Sequence, residues 1–163
     1  MQLPNDRVRL NLMLAESATV HQGKGFAFGI GLMALVVAQP NTTAQVAVCG
    51  TIAIPFVEMN RQHTVGIDLF DWDGQPFLVT TPIGDQPFRI NAALRGSLPP
   101  ALPRGSEIVV PFAVQFALPL RAGRFQFRIS LDGDEVPEAS LPLYILTPAE
   151  AGLAPGEPQP PSQ

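Results

Sequence analysis

The sequence predicts an all-β fold, an antiparallel β-sandwich of Ig-like or C2-like type with about eight strands. Three observations carry this. From Ser106 to Leu131 apolar and polar residues alternate almost without a break: Ile108, Val110, Phe112, Val114, Phe116 and Leu118 share one face, and after Pro119–Gly123 so do Phe125, Phe127, Ile129 and Leu131. A period of two marks strands with one buried face, and the Pro/Gly break reads as the turn of an antiparallel hairpin. Turn signals recur between similar runs, and no stretch of helical period competes. The long connections Pro55–Asn60 and Leu98–Gly105 favour a sandwich over an up-and-down barrel.

In chain order, Val8, Leu10, Leu12 and Leu14 alternate with Arg7, Arg9, Asn11 and Met13 as a first half-buried strand. Ala15–Thr19 reads as a brief turn and His21–Gly25 as a loop. Phe26, Phe28 and Ile30 resume the alternation, and Gly29 and Gly31 then mark a bulge or a bend from one sheet to another before the apolar run Leu32–Val37. Beyond the Pro40–Thr42 turn, Val46, Val48, Ile52, Ile54 and Phe56 form one face. The opposite face, Ala47, Cys49, Thr51 and Ala53, is small enough for a loop, a tail or a partner to lie close against it. Val65, Ile67 and Leu69 face inward on the next strand, which ends in the tight turn Asp71-Trp72-Asp73-Gly74. Phe88, Ile90, Ala92 and Leu94 precede the long alternating runs. Asp132-Gly133-Asp134 turns the chain again, and Leu141, Leu143 and Ile145 make a last strand. Pro142 cannot donate to a ladder, which places that strand at an edge or the proline outward. The domain spans 1–147; from 148 to 163 a Pro-rich segment, too poor in apolar residues to build a core, is expected to be extended or disordered.

Composition narrows the function classes. The chain has 163 residues, 46% hydrophobic and 15% charged, enough for one domain with a sizeable core. A net charge of −4 argues against nucleic acid as a partner, because phosphate neutralisation needs a concentrated basic patch. Lys24 stands alone among nine arginines, which fits either an Arg-rich interface or the coding bias of a GC-rich genome. Cys49 is the one cysteine, so no internal disulfide can form. Charges spread through Met1–Leu14 do not fit a signal peptide, and the run Phe26–Ala38 is shorter than the roughly 18 residues a membrane-spanning helix needs. A cytoplasmic protein, or a virion component if phage-encoded, with no membrane partner is the expectation.

No arrangement of residues points to catalysis or to a cofactor. Asp68, Asp71 and Asp73, with Asp132 and Asp134, are the best candidates for a cation, but Asp-x-Asp-Gly is equally ordinary turn chemistry and the calcium-loop pattern is incomplete. His21 and His63 have Ser17 and Asp68 as conceivable partners, without a nucleophile elbow or a metal-binding histidine pair. Cys49 lacks neighbouring charge and reads as a small apolar filler. Gly23-Lys24-Gly25 lacks the ending of a phosphate loop. Phe70, Trp72 and Phe77 surround one turn, either as an aromatic anchor for a protein or sugar or as the cap of the core. The spacing Pro158-x-x-Pro161 is readable by an aromatic groove as polyproline II.

Several stretches resemble a known family: Leu14-Ala15-Glu16-Ser17-Ala18 with Gly23-Lys24 and Phe28-Gly29-Ile30-Gly31, Pro55-Phe56 with Asn60-Arg61 and His63, Asp71-Trp72-Asp73-Gly74-Gln75-Pro76, and Pro119-Leu120-Arg121-Ala122-Gly123-Arg124-Phe125. They are similar to an uncharacterised bacterial family of unknown function, frequent in actinobacteria and their phages, up to about residue 147. The resemblance implies a small intracellular sandwich and supplies no catalytic residues. The expectation is therefore a non-catalytic structural or protein-interaction module, self-assembling or bound to a protein partner, such as a component or decoration of a phage or other large assembly. Its surface would be Ala47, Thr51 and Ala53 or the aromatics Phe70, Trp72 and Phe77. The alternative is a small-ligand module for carbohydrate or cation near Trp72, Asp73 and Asp132.

Overall fold

The computed structural model describes residues 7–97, 101, 103 and 105–153. Two sheets enclose the core. The first has the order β1 (Arg9–Ala15), β5 (Thr43–Ile54), β10 (Ile108–Pro119), all antiparallel. The second runs β4 (Ala34–Val36), β13 (Leu141–Leu146), β11 (Gly123–Leu131), β6 (Gln62–Asp71), β9 (Arg89–Arg95), with the short β12 (Asp134–Glu135) appended to β11. Among the described residues only the β4–β13 pair is parallel. Two ribbons complete the set, β2 (Ser17–His21) with β3 (Lys24–Phe28), and β7 (Leu78–Thr81) with β8 (Gly84–Pro87).

The period-two faces of both sheets meet in one hydrophobic cluster. Val46, Val48, Ile52, Ile54, Phe112 and Leu118 from the first sheet pack against Val65, Ile67, Leu69, Phe125, Phe127, Ile129, Leu143 and Ile145 from the second. This is the sandwich that the alternation predicts. Phe127 packs against both Phe88 and Phe116, with ring centroids 6.2 and 5.8 Å away.

Four sequence-based expectations change. The runs 108–118 and 125–131 do not form a hairpin: β10 pairs with β5, and β11 pairs with β6 and β13. The Pro119–Gly123 turn carries the chain from one sheet to the other. Alternation reports a buried face, and two such faces are satisfied as well across a core as side by side. Second, Ala15–Gly25 is not turn and loop; it contributes β2 and the start of β3. The turn between them, Gln22-Gly23, has φ of +49° and +72°, the left-handed pair of a tight two-residue hairpin. Third, of the two placements expected for the last strand, the edge one fails and the outward proline holds: β13 is an interior strand. Pro142 is tolerated because β4 reaches only Tyr144–Leu146, which leaves the proline exposed beyond it. Fourth, residues 148–153 form a single closed turn. Thr147 and Glu150 cap it reciprocally, Thr147 N–H donating to Glu150 Oε2 (2.8 Å) and Glu150 N–H to Thr147 Oγ1 (3.3 Å). Gly152 (φ +72°) ends it, with Leu153 N–H donating to the Pro148 carbonyl and Gly152 N–H to that of Ala149. Bonds from the Thr147 amide and hydroxyl hold the Glu150 carboxyl below its usual range. The rest of the expected tail, including Pro158 and Pro161, lies outside the described residues.

The bend expected at Gly29 and Gly31 occurs. Both have positive φ (+62° and +81°), and the Gly31 and Leu32 amides both donate to the Leu14 carbonyl as the chain leaves the ribbon for β4 in the second sheet.

Candidate functional site

The small face of β5 is covered by the chain itself. The β2–β3 ribbon lies on it as a third layer, and Ala15, Ala18, Ala47 and Cys49 form a second buried cluster there. Close approach needs the small side chains: a Cβ on Gly25 would already sit 3.3 Å from Pro111 Cβ. Ala47 is fully buried, so it is not an available surface. Thr51 stays exposed and Ala53 half-buried. Burial pushes the Cys49 thiol up, away from the thiolate form.

The outer face of the ribbon is what the sandwich leaves open. Directly paired residues share a face, so Ser17 with Phe28 and Thr19 with Phe26 place both phenylalanines together. Phe26 is 55% exposed, Phe28 61% and the following Ile30 63%. All five residues of β3 are exposed, and its outer edge carries no strand among the described residues. Phe26 and Ile30 also line a cleft of about 230 Å³ between ribbon and sheet, floored by Cys49, Gly50 and Ala113. Residues 15–25 read as turn and loop from the sequence, which hides the ribbon although the Phe26/Phe28 alternation is visible. The Gln22-Gly23 turn is the signal that could have found it.

The aromatics Phe70, Trp72 and Phe77 do not converge. Phe77 is buried edge-on against Phe125 (5.3 Å, 81°), with the Arg121 guanidinium 4.8 Å above its ring. Phe70 is half-buried on the opposite face of the second sheet, under the Arg128 guanidinium at 4.2 Å. Trp72 alone of the three is largely exposed.

That outer face of the second sheet holds a polar groove of about 640 Å³. Gly66 forms its floor; a Cβ there would come within 2.3 Å of Ser130 Oγ. Thr64, Asn91, Ser130 and Arg128 line it, with the ion pair Arg89 Nε–Asp68 Oδ1 (2.6 Å) at one side. The hydrogen bond to Asp68 and its charge hold the Arg89 guanidinium still further above its ordinary range.

At one end of this groove lies the buried His63, paired with Asp132 rather than with Ser17 or Asp68. Its Nδ1 donates to Asp132 Oδ2 (2.8 Å), and its Nε2 lies 3.3 Å from the Glu58 carbonyl oxygen. Asp132 Oδ1 accepts from the Thr64 amide (2.8 Å), and Arg61 approaches at 3.7 Å. Partial burial pushes the Asp132 carboxyl up, but the His63 and Thr64 hydrogen bonds and the charges of His63 and Arg61 outweigh it, and the net shift is downward. Both ring nitrogens face oxygen atoms of the fold and neither faces a hydroxyl or thiol, so the pair acts as a clasp joining β6 to the turn after β11. The two acidic turns are far apart. Asp71 lies beside Phe125 while Val65 pairs with Leu131, so Asp71/Asp73 and Asp132/Asp134 sit at opposite ends of β6, roughly 20 Å apart at strand rise. They cannot share one ion, and Trp72, Asp73 and Asp132 do not form one ligand site. No group of three or more metal-ligating side chains occurs among the described residues.

A carboxylate with a depressed pKa stabilises the fold above its ordinary value of 3.8 and loses that contribution as pH falls through the folded value. Asp132→Asn keeps an oxygen for the Thr64 amide and tolerates the left-handed φ of +54°. Urea midpoints measured from pH 7 to pH 2 should fall less steeply below about pH 4 in this variant than in the wild type. Equal acid limbs would show that Asp132 does not carry the acid sensitivity.

Residues 10–146 match the model of DUF6941, a family of unknown function, and the chain belongs to that family. No curated protein matches the chain. Among the described residues no helix is long and apolar enough to cross a membrane.

Proposed function

We propose that this DUF6941 member is a non-catalytic β-sandwich that acts by binding protein through the β2–β3 ribbon, as a component of a larger assembly such as a phage particle. One observation carries the reading: Phe26, Phe28 and Ile30 stand more than half exposed on a ribbon that contributes nothing to the main core. Fully burying such a side chain is worth roughly 1.5–3 kcal/mol, and a contiguous exposed apolar patch marks an interaction surface. Apart from Met33, which follows the ribbon, the other large apolar residues more than half exposed, Val57, Trp72, Ile83 and Val109, fall on different loops and strands, Val57 beside the less exposed Phe56.

The test is the double variant Phe26→Ser/Phe28→Ser. Both side chains lie outside the core, so its melting curve should match the wild type to within about 0.5 kcal/mol. In quantitative capture from extracts of the source cells, proteins held by the wild type should drop at least about tenfold, the equivalent of 1.4 kcal/mol. Equal capture together with equal solution mass for the two chains refutes the reading.

A second reading, a carbohydrate-binding module, is favoured by the Gly66 groove, where the side chains of Thr64, Asn91 and Ser130 make no hydrogen bond among the described residues. A ligand module stays monomeric and gains thermal stability from oligosaccharide, whereas an assembly module shows neither behaviour.

A further inference from the structure

We infer that the groove over Gly66 takes an acidic saccharide, and that Arg128 receives the carboxylate of its uronate residue. The inference deepens the carbohydrate reading and rests on it, not on the ribbon. Three features of the groove select a carboxylate-bearing saccharide over a neutral one.

The first is a cation left without a counter-charge. Arg128 stands directly opposite Asp68 across β11 and β6, and Asp68 opposite Arg89 across β6 and β9. Directly paired residues share a face, so the three form one row on the outer side of the sheet. Asp68 gives its carboxylate to Arg89, Oδ1 lying 2.6 Å from Nε. Arg128 makes no ion pair among the described residues, although an acid is its direct neighbour. The row therefore keeps one positive charge in excess.

The second is preorganisation. The half-buried Arg128 guanidinium rests 4.2 Å from the centroid of the Phe70 ring. That contact holds the group in place, yet Arg128 donates no hydrogen bond among the described residues. A planar fork held in position with its donors uncommitted matches a carboxylate, which it can bind with two parallel hydrogen bonds.

The third is the row beside it. Glu135 pairs with Ser130, Ser130 with Gly66, and Gly66 with Asn91. The side chains of Glu135, Ser130 and Asn91 have no hydrogen-bond or ion-pair partner among the described residues, and all three line the groove. They offer acceptors and donors suited to hydroxyl groups. Two residues of β11 separate this row from Arg128, about 7 Å at strand rise. A pyranose uronate has a matching span, with its carboxylate on one side of the ring and its 2- and 3-hydroxyls on the other. A neutral sugar would use the second row alone. Glu135 also opposes a second carboxylate there, which fixes the direction in which a uronate enters.

The experiment is titration calorimetry of the full chain with oligosaccharides of polygalacturonate, alginate and hyaluronan, each beside its carboxyl-reduced counterpart. At least one uronate form is expected to bind about tenfold or more tighter than its reduced form, and to weaken as salt rises. Arg128→Gln should remove that preference and leave affinity for the reduced form within about twofold. Arg128→Lys, which keeps the charge but loses the fork, should retain only part of it. Asn91→Ala should weaken both forms alike. Equal binding of acidic and reduced forms, or a preference that survives Arg128→Gln, overturns the carboxylate inference and leaves the carbohydrate reading standing. No binding by any member of the panel overturns both.

Discussion

Phe127→Ala is expected to lower the free energy of unfolding by about 3–5 kcal/mol, the range for emptying an aromatic site in a packed core. Phe127 is fully buried on the inner face of β11. Its ring meets Phe88, which lies just before β9, and Phe116 of β10, and those two rings are themselves 5.1 Å apart. The triad therefore spans the gap between the two sheets. Removing its fully buried member leaves a void that neither sheet can close without shifting its hydrogen-bonded register. Domains of this size carry about 5–15 kcal/mol in all, so the variant should lose a third or more of its stability. Urea denaturation should show a lower midpoint with an unchanged slope. Phe127→Leu, which retains most of the volume, should cost roughly half as much. A loss below about 1 kcal/mol for the alanine variant would mean that the two sheets are held together elsewhere.

The same residues show what the sequence could reveal. Alternation identified Phe112, Leu118, Phe125, Phe127 and Ile129 as core positions, and all are buried in one cluster. It could not identify their partners, because a strand with one buried face leaves its two edges unspecified. Hence β10 and β11, adjacent in sequence, belong to different sheets. The small residues Ala47 and Cys49 announced a close neighbour, and a neighbour is there, but it comes from the chain's own residues 15–28. Its first part, residues 15–25, reads as turn and loop because the strands it contributes to are five residues each and face solvent on one side. The His63–Asp132 clasp joins residues 69 apart and has no local signature at all. Of the candidate surface, Phe26 and Phe28 were visible as alternation; their exposure was not, since only the third layer beneath them explains why they are not core.

That third layer hangs on β1 and β5, which makes Gly50→Ala the other variant with a large expected effect. Gly50 pairs with Leu12 on one side and Phe112 on the other, at φ +151°. A Cβ there would come within 2.0 Å of the Asn11 carbonyl oxygen and 3.0 Å of Leu12 Cα. Both are backbone atoms of β1, so no side chain can rotate out of the way and the strand itself must move. Overpacking and the unfavourable dihedral together should cost about 3 kcal/mol or more. Gly133→Ala is the control: its φ of +94° is also left-handed, but nothing lies within 4 Å of the added Cβ, so it should cost only about 1 kcal/mol. In native-state hydrogen exchange, Gly50→Ala should deprotect the amides of β1 and β2 before those of β6 and β11. Since β2 begins two residues after β1, displacing β1 also displaces the ribbon, and protein capture through Phe26 and Phe28 should weaken although neither residue has changed. Equal melting temperatures for the two glycine variants would show that β1 yields freely, and that the ribbon is not rigidly held on the sheet beneath it.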